Sequence, residues 1–248
     1  MTKSNPLDLL LRKLETHSSL DEADRQAVLS LPYTLRTLEP HAYTIREGER
    51  PEACAVLLSG FAFRQKLTSD GARQILAIHI PGEPLDFQNL FLDESDHNVQ
   101  MLTRGELAVI PREALQALAQ SRSSISHAIL VTILVEASIF REWIVNVGRR
   151  DARARLAHVL CEFGSRLDAQ GLAEDYGYQL PMTQEQLADV LGLTPVHVNR
   201  TIKSLEADGL ITRKGRNISF PDWRRMQEVG DFNRRYLHLE QQDSGRLA

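Results

Sequence analysis

The residues best suited to contact another molecule lie in one stretch near the C-terminus, positions 182–220, MTQEQLADVLGLTPVHVNRTIKSLEADGLITRKGRNISF. Arginine can form paired hydrogen bonds with guanine, an apolar side chain can touch the methyl group of thymine, and lysine can hold a phosphate. These side-chain types recur here, a pattern that is typical of a surface entering the major groove of DNA. The charged residues from 194 to 216 are five basic and two acidic: Arg200, Lys203, Arg213, Lys214, Arg216, Glu206 and Asp208.

Two short helices are predicted to position these side chains. Thr183 is a natural N-cap with Gln186 at the capping-box position, and Gly192 allows the left-handed backbone that ends such a helix. Thr194 caps a second helix, and Pro195 takes its first position, where no N–H donor is needed. Two helices joined by a tight turn that contains glycine form a helix-turn-helix unit.

The second helix is expected to have an inner and an outer face. Val198, Ile202 and Leu205 recur at helical spacing and should pack inward. A basic turn between two short strands, 210–212 and 217–220, then predicts a wing suited to contacts with the DNA backbone. We predict that DNA is contacted by Thr183, Gln184, Thr194, Pro195, Val196, His197, Asn199, Arg200, Lys203, Lys214 and Arg216.

The composition sets limits on the protein class. The chain has 248 residues, 42% hydrophobic and 25% charged, which is ordinary for a globular protein. A net charge of −4 argues against a protein that binds nucleic acid through overall basicity. The longest apolar run, 128–140, is shorter than the roughly 20 residues of a membrane span, and residues 1–20 do not resemble a secretion signal. We expect a soluble cytoplasmic protein.

The region between residues 43 and 110 has the pattern of a β-rich domain. Short segments rich in Val, Ile, Leu and Phe alternate with glycines at regular intervals, and Ser69-Asp70-Gly71 is typical of a hairpin turn. This spacing predicts an antiparallel sandwich or barrel. Helical periodicity over residues 6–30 predicts two short helices before it. Together these segments form a predicted N-terminal domain, 1–122. The four spaced glycines are Gly48, Gly60, Gly71 and Gly82.

Residues 123–147 contain no proline or glycine and predict one long central helix. The helix is apolar on two faces, so each face must be covered by a packing partner. A second copy of the chain is the simplest partner, and a core helix in a monomer is the alternative. The face with heptad spacing, predicted to form the dimer contact, comprises Ile129, Ile133, Glu136, Phe140, Trp143 and Val147. The second face comprises Leu130, Leu134, Ala137 and Ile144. A hinge is predicted at 148–151, followed by a DNA-binding domain over 148–248.

Together these features resemble the Crp/Fnr superfamily of bacterial transcription regulators, over about residues 7–220. The resemblance implies an α+β fold with a jelly-roll β-roll of the cyclic-nucleotide-binding type and a winged helix-turn-helix. It also implies a homodimer on a two-fold symmetric operator, with half-sites about 34 Å apart, and a contact with RNA polymerase. In the recognition helix, Pro195-Val196 replaces the Arg-Glu pair of the cyclic-AMP branch while Arg200 keeps its final arginine, so we predict a different operator.

The sensor region departs from the cyclic-AMP branch of that superfamily. Asp86-Phe87 stands where the branch has Gly-Glu, and His97-Asn98 stands where it has Arg-Ser, so no arginine faces a phosphate. Phe140-Arg141 replaces its Thr-Ser pair. Cyclic AMP is therefore not expected. The candidate effector pocket consists of Phe87, Gln88, His97, Asn98, Phe140 and Arg141.

No cofactor is expected. The chain has two cysteines, too few for a disulfide framework or a four-thiolate cluster, and no cysteine precedes Cys54 as the oxygen-sensing branch requires. Haem on His79 or His97 stays open as a weaker alternative. Cys161, on the apolar side of a helix, is interpreted as a buried structural residue rather than a redox switch.

Two other functions were weighed. A cupin-like small-molecule or metal enzyme on the β-roll would need a His-x-His pair, whereas His41, His79 and His97 stand singly. A ligand-binding module that uses its winged helix for protein contact fits poorly with the basic outer face. We therefore predict a DNA-binding regulator that is not an enzyme and holds no metal.

Overall fold

The computed structural model describes residues 5–173 and 176–239. These residues form two compact units. The first unit contains residues up to 66 together with 77–137, and the second contains 67–76 and 138–239. The long central helix contributes to both units, so the division falls inside it, between Ala137 and Ser138. The sequence had placed boundaries at the two ends of that helix.

The first unit begins with two helices and continues as a β-roll, of which only residues 67–76 belong to the second unit. Helices α1 (Asp8–Glu15) and α2 (Glu22–Leu29) precede five strands, β1 (Thr34–Leu38), β2 (Tyr43–Ile45), β3 (Ala53–Leu57), β4 (Ala62–Leu67) and β5 (Arg73–His79). A 3-10 turn (Phe87–Leu90), strands β6 (Asn98–Met101) and β7 (Gly105–Pro111) and helix α3 (Arg112–Ser121) follow.

The strands form two sheets, ordered β1-β7-β3 and β2-β6-β4-β5, and the pairs of β7 with β1 and β3 and of β6 with β2 and β4 are antiparallel. The predicted β-roll is confirmed. The four regularly spaced glycines all have positive φ. A Cβ at Gly60 would lie 2.5 Å from the carbonyl oxygen of Arg104, so this turn requires glycine.

Alternating side chains of β7 divide the core of this unit into two clusters. Ala108 and Ile110 pack with Val56 and with the helices. Leu107 lies on the opposite side of the strand and packs with Leu57, inside the roll. A strand buried on both faces carries apolar residues at successive positions, which explains the run Leu-Ala-Val-Ile in this segment.

Helix α4 spans Ser123–Arg149, 27 residues. It continues through Gly148, which the sequence had predicted to break it. Helix α5 (Ala152–Ala169) then starts at once, because the Asp151 carboxylate accepts a hydrogen bond from the Ala154 amide at 2.8 Å. The predicted hinge is therefore reduced to a turn at 150–151.

The rest of the second unit is the winged helix-turn-helix. It comprises β8 (Tyr178–Gln179), α6 (Gln184–Leu191), α7 (Pro195–Ala207), β9 (Thr212–Lys214), β10 (Asn217–Ser219), α8 (Trp223–Val229) and a 3-10 turn (Arg234–Leu237). The three strands form one small sheet in the order β8-β10-β9. Among the described helices, none is long and apolar enough to cross a bilayer.

A buried polar network connects the C-terminal end of α4, helix α5 and the segment after α8. The Glu162 carboxylate accepts hydrogen bonds from Trp143 Nε1 at 2.9 Å and from Tyr236 Oη at 2.7 Å. Tyr236 Oη also lies 3.0 Å from Nε2 of His158, and Nδ1 of that histidine lies 3.1 Å from the carbonyl oxygen of Gly230. Three segments distant in sequence are thereby held together under the helix-turn-helix.

Candidate nucleic-acid interface and sensor interior

Both helices of the helix-turn-helix begin and turn as their sequence predicts. In α6, Thr183 Oγ1 accepts from the Gln186 amide at 3.2 Å, and Gln186 Oε1 accepts from the Thr183 amide at 2.9 Å. Gly192 ends the helix with a φ of 62°, in the left-handed region. In α7, Thr194 Oγ1 accepts from the His197 amide at 3.3 Å, and Pro195 occupies the first turn. These caps define where the first turn of α7 starts.

Helix α7 separates an apolar inner face from a polar outer face. Val198, Ile202 and Leu205 are buried, which confirms the predicted inner face. Asn199 is half-buried, and the other ten residues predicted to contact DNA are exposed. The structure therefore brings the predicted set together on the surface of one unit: Thr183, Gln184, Thr194, Pro195, Val196, His197, Arg200 and Lys203 around the helices, and Lys214 and Arg216 on the wing.

The basic side chains of this unit differ in whether they are already paired. Arg213 Nε lies 3.5 Å from Glu206 Oε1, and Arg153 Nη1 lies 2.5 Å from Asp208 Oδ2. The two acidic residues at the C-terminal end of α7 are therefore each paired with an arginine. Over residues 5–173 and 176–239, no ion pair involves the four cations predicted to bind DNA, Arg200, Lys203, Lys214 and Arg216. Their charge is available to a phosphate or a base edge.

The wing is a short hairpin with an exposed basic tip. Lys214 pairs with Asn217 across the turn, and Gly215 has a φ of 66°. Ile218 is buried and anchors the hairpin to the domain. Anchoring at its base leaves the tip, which carries Lys214 and Arg216, exposed.

The interior of the β-roll contains charged side chains that are buried, unlike the exposed cations of the helix-turn-helix. The side chains of Arg64 and Asp86 are 3% and 1% exposed, and Nη2 of Arg64 lies 3.7 Å from Oδ1 of Asp86. Arg64 also bonds to Oε1 of Glu136 on α4 at 2.7 Å and to the carbonyl oxygen of Leu85 at 3.0 Å. Nε2 of His97 lies 3.4 Å from the other oxygen of Asp86. Sequence reasoning missed Arg64, because its strand also carries Gln65 and Lys66 and no local pattern distinguishes the arginine from them.

The predicted effector residues are divided between the two units. Gln88 Nε2 lies 3.3 Å from Nδ1 of His97, so these two are neighbours. Phe87 is buried in the core, and Asn98 accepts a hydrogen bond from the backbone of residue 47. Phe140 and Arg141 belong to the second unit, where the Arg141 guanidinium donates to Ser138 Oγ at 2.7 Å.

A cavity of about 360 Å³ opens at another place in the roll, between strands β1, β2, β3 and β7. None of the predicted effector residues lines it. Its lining includes Arg36, Tyr43, Arg50 and Val109.

The two cysteines and the histidines considered as ligands are enclosed. Burial raises the pKa of the Cys54 thiol to about 12 and raises that of Cys161 further, which disfavours the reactive thiolate. His79 is buried with Nδ1 3.6 Å from Oε2 of Glu83, and burial lowers its pKa. No group of three or more potential metal ligands occurs within the part of the chain that the structure describes.

The central helix α4 requires a correction to the predicted dimer face. Ile129 and Trp143 are buried within the chain, and Glu136 is bonded to Arg64, so these three are used inside the protein. Ile133, Phe140 and Val147 are half-buried. The exposed apolar residues of the helix are instead Leu130, Leu134, Ile144 and Val145. Both faces were recognised from the sequence, but heptad spacing selected the inner one.

Comparisons with known proteins agree with this architecture. Residues 35–122 match the profile of the cyclic nucleotide-binding domain, and residues 154–229 match that of the Crp-like helix-turn-helix domain; together they cover more than half of the chain. The transcriptional activator protein FnrL of Cereibacter sphaeroides is 26% identical over 85% of this chain and 86% of its own. The nitrogen fixation regulation protein FixK of Rhizobium meliloti is 29% identical over 77% and 85%.

A solved structure shows the same fold. FixK2 from Bradyrhizobium japonicum superposes with a TM-score of 0.74 at 24% identity, covering 80% of this chain and 98% of FixK2. FnrL is named as a transcriptional activator and FixK as a regulation protein, and neither is named as an enzyme. Because the two profiles match its β-roll and its winged helix-turn-helix, and these relatives match most of its length, the chain belongs to the Crp/Fnr superfamily of transcription regulators.

Proposed function

We propose that this regulator binds DNA sequence-specifically, as a homodimer on a two-fold symmetric operator. The observation that carries the proposal is the outer face of α7 and the wing, where Arg200, Lys203, Lys214 and Arg216 are exposed and have no ion-pair partner among the described residues. A capped helix with such a face can enter the major groove while the wing contacts the backbone.

Selection of bound sequences from random duplex DNA by the full-length protein tests this function. We expect a palindromic motif, with half-site centres about one helical turn apart, bound far more tightly than random DNA. Affinity for unselected DNA should fall steeply with salt, because that binding depends on phosphate contacts. Recovery of no enriched sequence would contradict the proposal.

We infer that the dimer contact uses the outer face of α4, comprising Leu130, Leu134, Ala137 and Ile144. Ile144 is 68% exposed, and an apolar row of this length on one helix favours burial against a second copy. Leu134→Glu and Ile144→Glu should give monomers in sedimentation velocity. Leu172→Glu, at an exposed leucine after α5, is the control and should remain dimeric. Dimers in all three variants would contradict this face.

We propose that the sensor does not take cyclic AMP. The carboxylate of Asp86 is buried beside Arg64 in the segment where the cyclic-AMP branch holds its nucleotide, and an incoming phosphate would meet that carboxylate. Calorimetric titration of the full-length protein with cyclic AMP should give no saturable heat, and operator affinity should be unchanged. Saturable binding would refute this.

We also propose that the DNA-bound protein contacts RNA polymerase, as its relatives named transcriptional activators suggest. Transcription from a promoter that carries the selected operator, with and without the protein, checks this and shows whether it activates or represses.

A further inference from the structure

We propose that Val196 determines operator specificity by contacting the 5-methyl group of a thymine in each half-site. The inference rests on the proposed DNA-binding function and adds a base identity to it. Val196 is 71% exposed, the largest exposed fraction of any large hydrophobic side chain in the described chain.

The position of Val196 on α7 makes this exposure informative. Thr194 caps the helix and Pro195 begins it, so Val196 lies in the first turn, near the end that approaches base edges in helix-turn-helix proteins. Arg200 is four residues later, on the same side of the helix, exposed and without an ion pair among the described residues. An isolated apolar side chain on a surface usually needs no explanation, but this one lies within the surface predicted to read DNA.

The chemistry of the first turn favours thymine over the other bases. It contains no acidic residue, so it offers no carboxylate to accept a hydrogen bond from the amino group of cytosine. In the next turn, the hydroxyl of Thr201 is buried and donates to the carbonyl oxygen of His197 at 2.9 Å, so it does not face a base. The side chain of Val196 presents only methyl groups, and in the major groove the complementary apolar group is the methyl of thymine.

Replacing single thymines by deoxyuridine in one half-site of the selected operator removes the methyl and nothing else. With the wild-type protein, we expect one position where the replacement weakens binding about fourfold, the value of one buried methyl or methylene group. With Val196→Ala the same replacement should have almost no effect. Val196→Glu should shift the preference at that position from thymine to cytosine, whose amino group donates to a carboxylate.

The matched control is Leu172→Ala, at an exposed leucine after α5 outside this surface; it should keep the fourfold loss. An operator in which no deoxyuridine replacement weakens the wild type, or in which Val196→Ala remains equally sensitive, would overturn the role of Val196 while leaving sequence-specific binding intact. A protein that selects no sequence would overturn both.

Discussion

The charged side chains of the helix-turn-helix and those of the β-roll interior are held in opposite ways. On α7 and the wing they are exposed, and four cations have no ion pair among the described residues. Inside the roll, Arg64, Asp86 and His97 are buried, and Asp86 lies within 4 Å of the other two side chains. A charge that stays hydrated costs little until a partner arrives, whereas a buried charge needs its partner for the protein to fold. The cations of the first region are available to bind another molecule, whereas the charged groups of the second stabilise the fold of the roll.

The largest effect on stability is expected when one member of the buried ion pair in the roll is removed. Arg64→Met leaves the Asp86 carboxylate buried without its counter-charge, so the free energy of unfolding should fall by about 3–5 kcal/mol. Urea denaturation followed by circular dichroism measures it. The double variant Arg64→Met/Asp86→Leu should regain much of the loss. If the single variant is as stable as the wild type, the pair is not structural.

The exposed region should respond in the opposite manner. Arg200→Ala should leave the unfolding free energy nearly unchanged and reduce discrimination at one base pair by about 1–3 kcal/mol. Competition binding with single-base operator variants measures this. Arg224→Ala, at an exposed arginine of α8, is the control and should keep the wild-type preference. A stability loss as large as that of Arg64→Met would remove the distinction between the two regions.

A pH titration probes one buried histidine in each unit. Burial lowers the pKa of His79, and it also lowers that of His158, which lies among Glu142, Glu162 and Arg150. In the unfolded chain these histidines therefore bind protons near pH 6.5, whereas in the folded chain they remain neutral at that pH. Each histidine should reduce stability as pH falls below about 7, by up to 1.4 kcal/mol per pH unit, until its folded pKa is passed.

Urea midpoints measured between pH 7.5 and 5.5 test this slope. His158→Gln should flatten it, while His127→Gln, at an exposed histidine of α4, should leave it as in the wild type. An unchanged slope in His158→Gln would show that the histidine is not kept neutral by its surroundings.

The smallest expected effect is a difference in the salt dependence of DNA binding between an exposed cation without an ion pair and one that is paired. Lys214→Ala should weaken binding to all sequences alike and reduce the slope of log affinity against log salt by about one. Arg213→Ala should change that slope less, because the guanidinium is already paired with Glu206. Binding measured at several salt concentrations compares the two, and equal changes would mean that the pairing does not persist on DNA.

Local signals determined most of the DNA-binding unit in advance. Thr183, Gly192, Thr194 and Pro195 act within a few residues of themselves, through caps and a left-handed turn, and the structure places each as its type requires. The β-roll followed in the same way from regularly spaced glycines. Such features depend on backbone geometry over one turn and so can be read from one sequence.

The burial of the central helix could not be predicted from such local signals. Its two apolar faces were visible from spacing, yet spacing cannot say which face the chain itself covers. The structure decides it, because Ile129 is packed in the core and Trp143 donates to Glu162 on α5. Gly148 likewise stays helical, since packing can offset a local cost of about 1 kcal/mol.

The sequence by itself therefore determined the family, the order of domains and the capped recognition helix, because these depend on contacts between near neighbours. Only the tertiary structure brought Arg64 to Asp86 and Glu136, and Tyr236 to Glu162. Those partners are separated by 22 to 74 residues. Pairing at such separation depends on how strands and helices pack, and no local pattern encodes it.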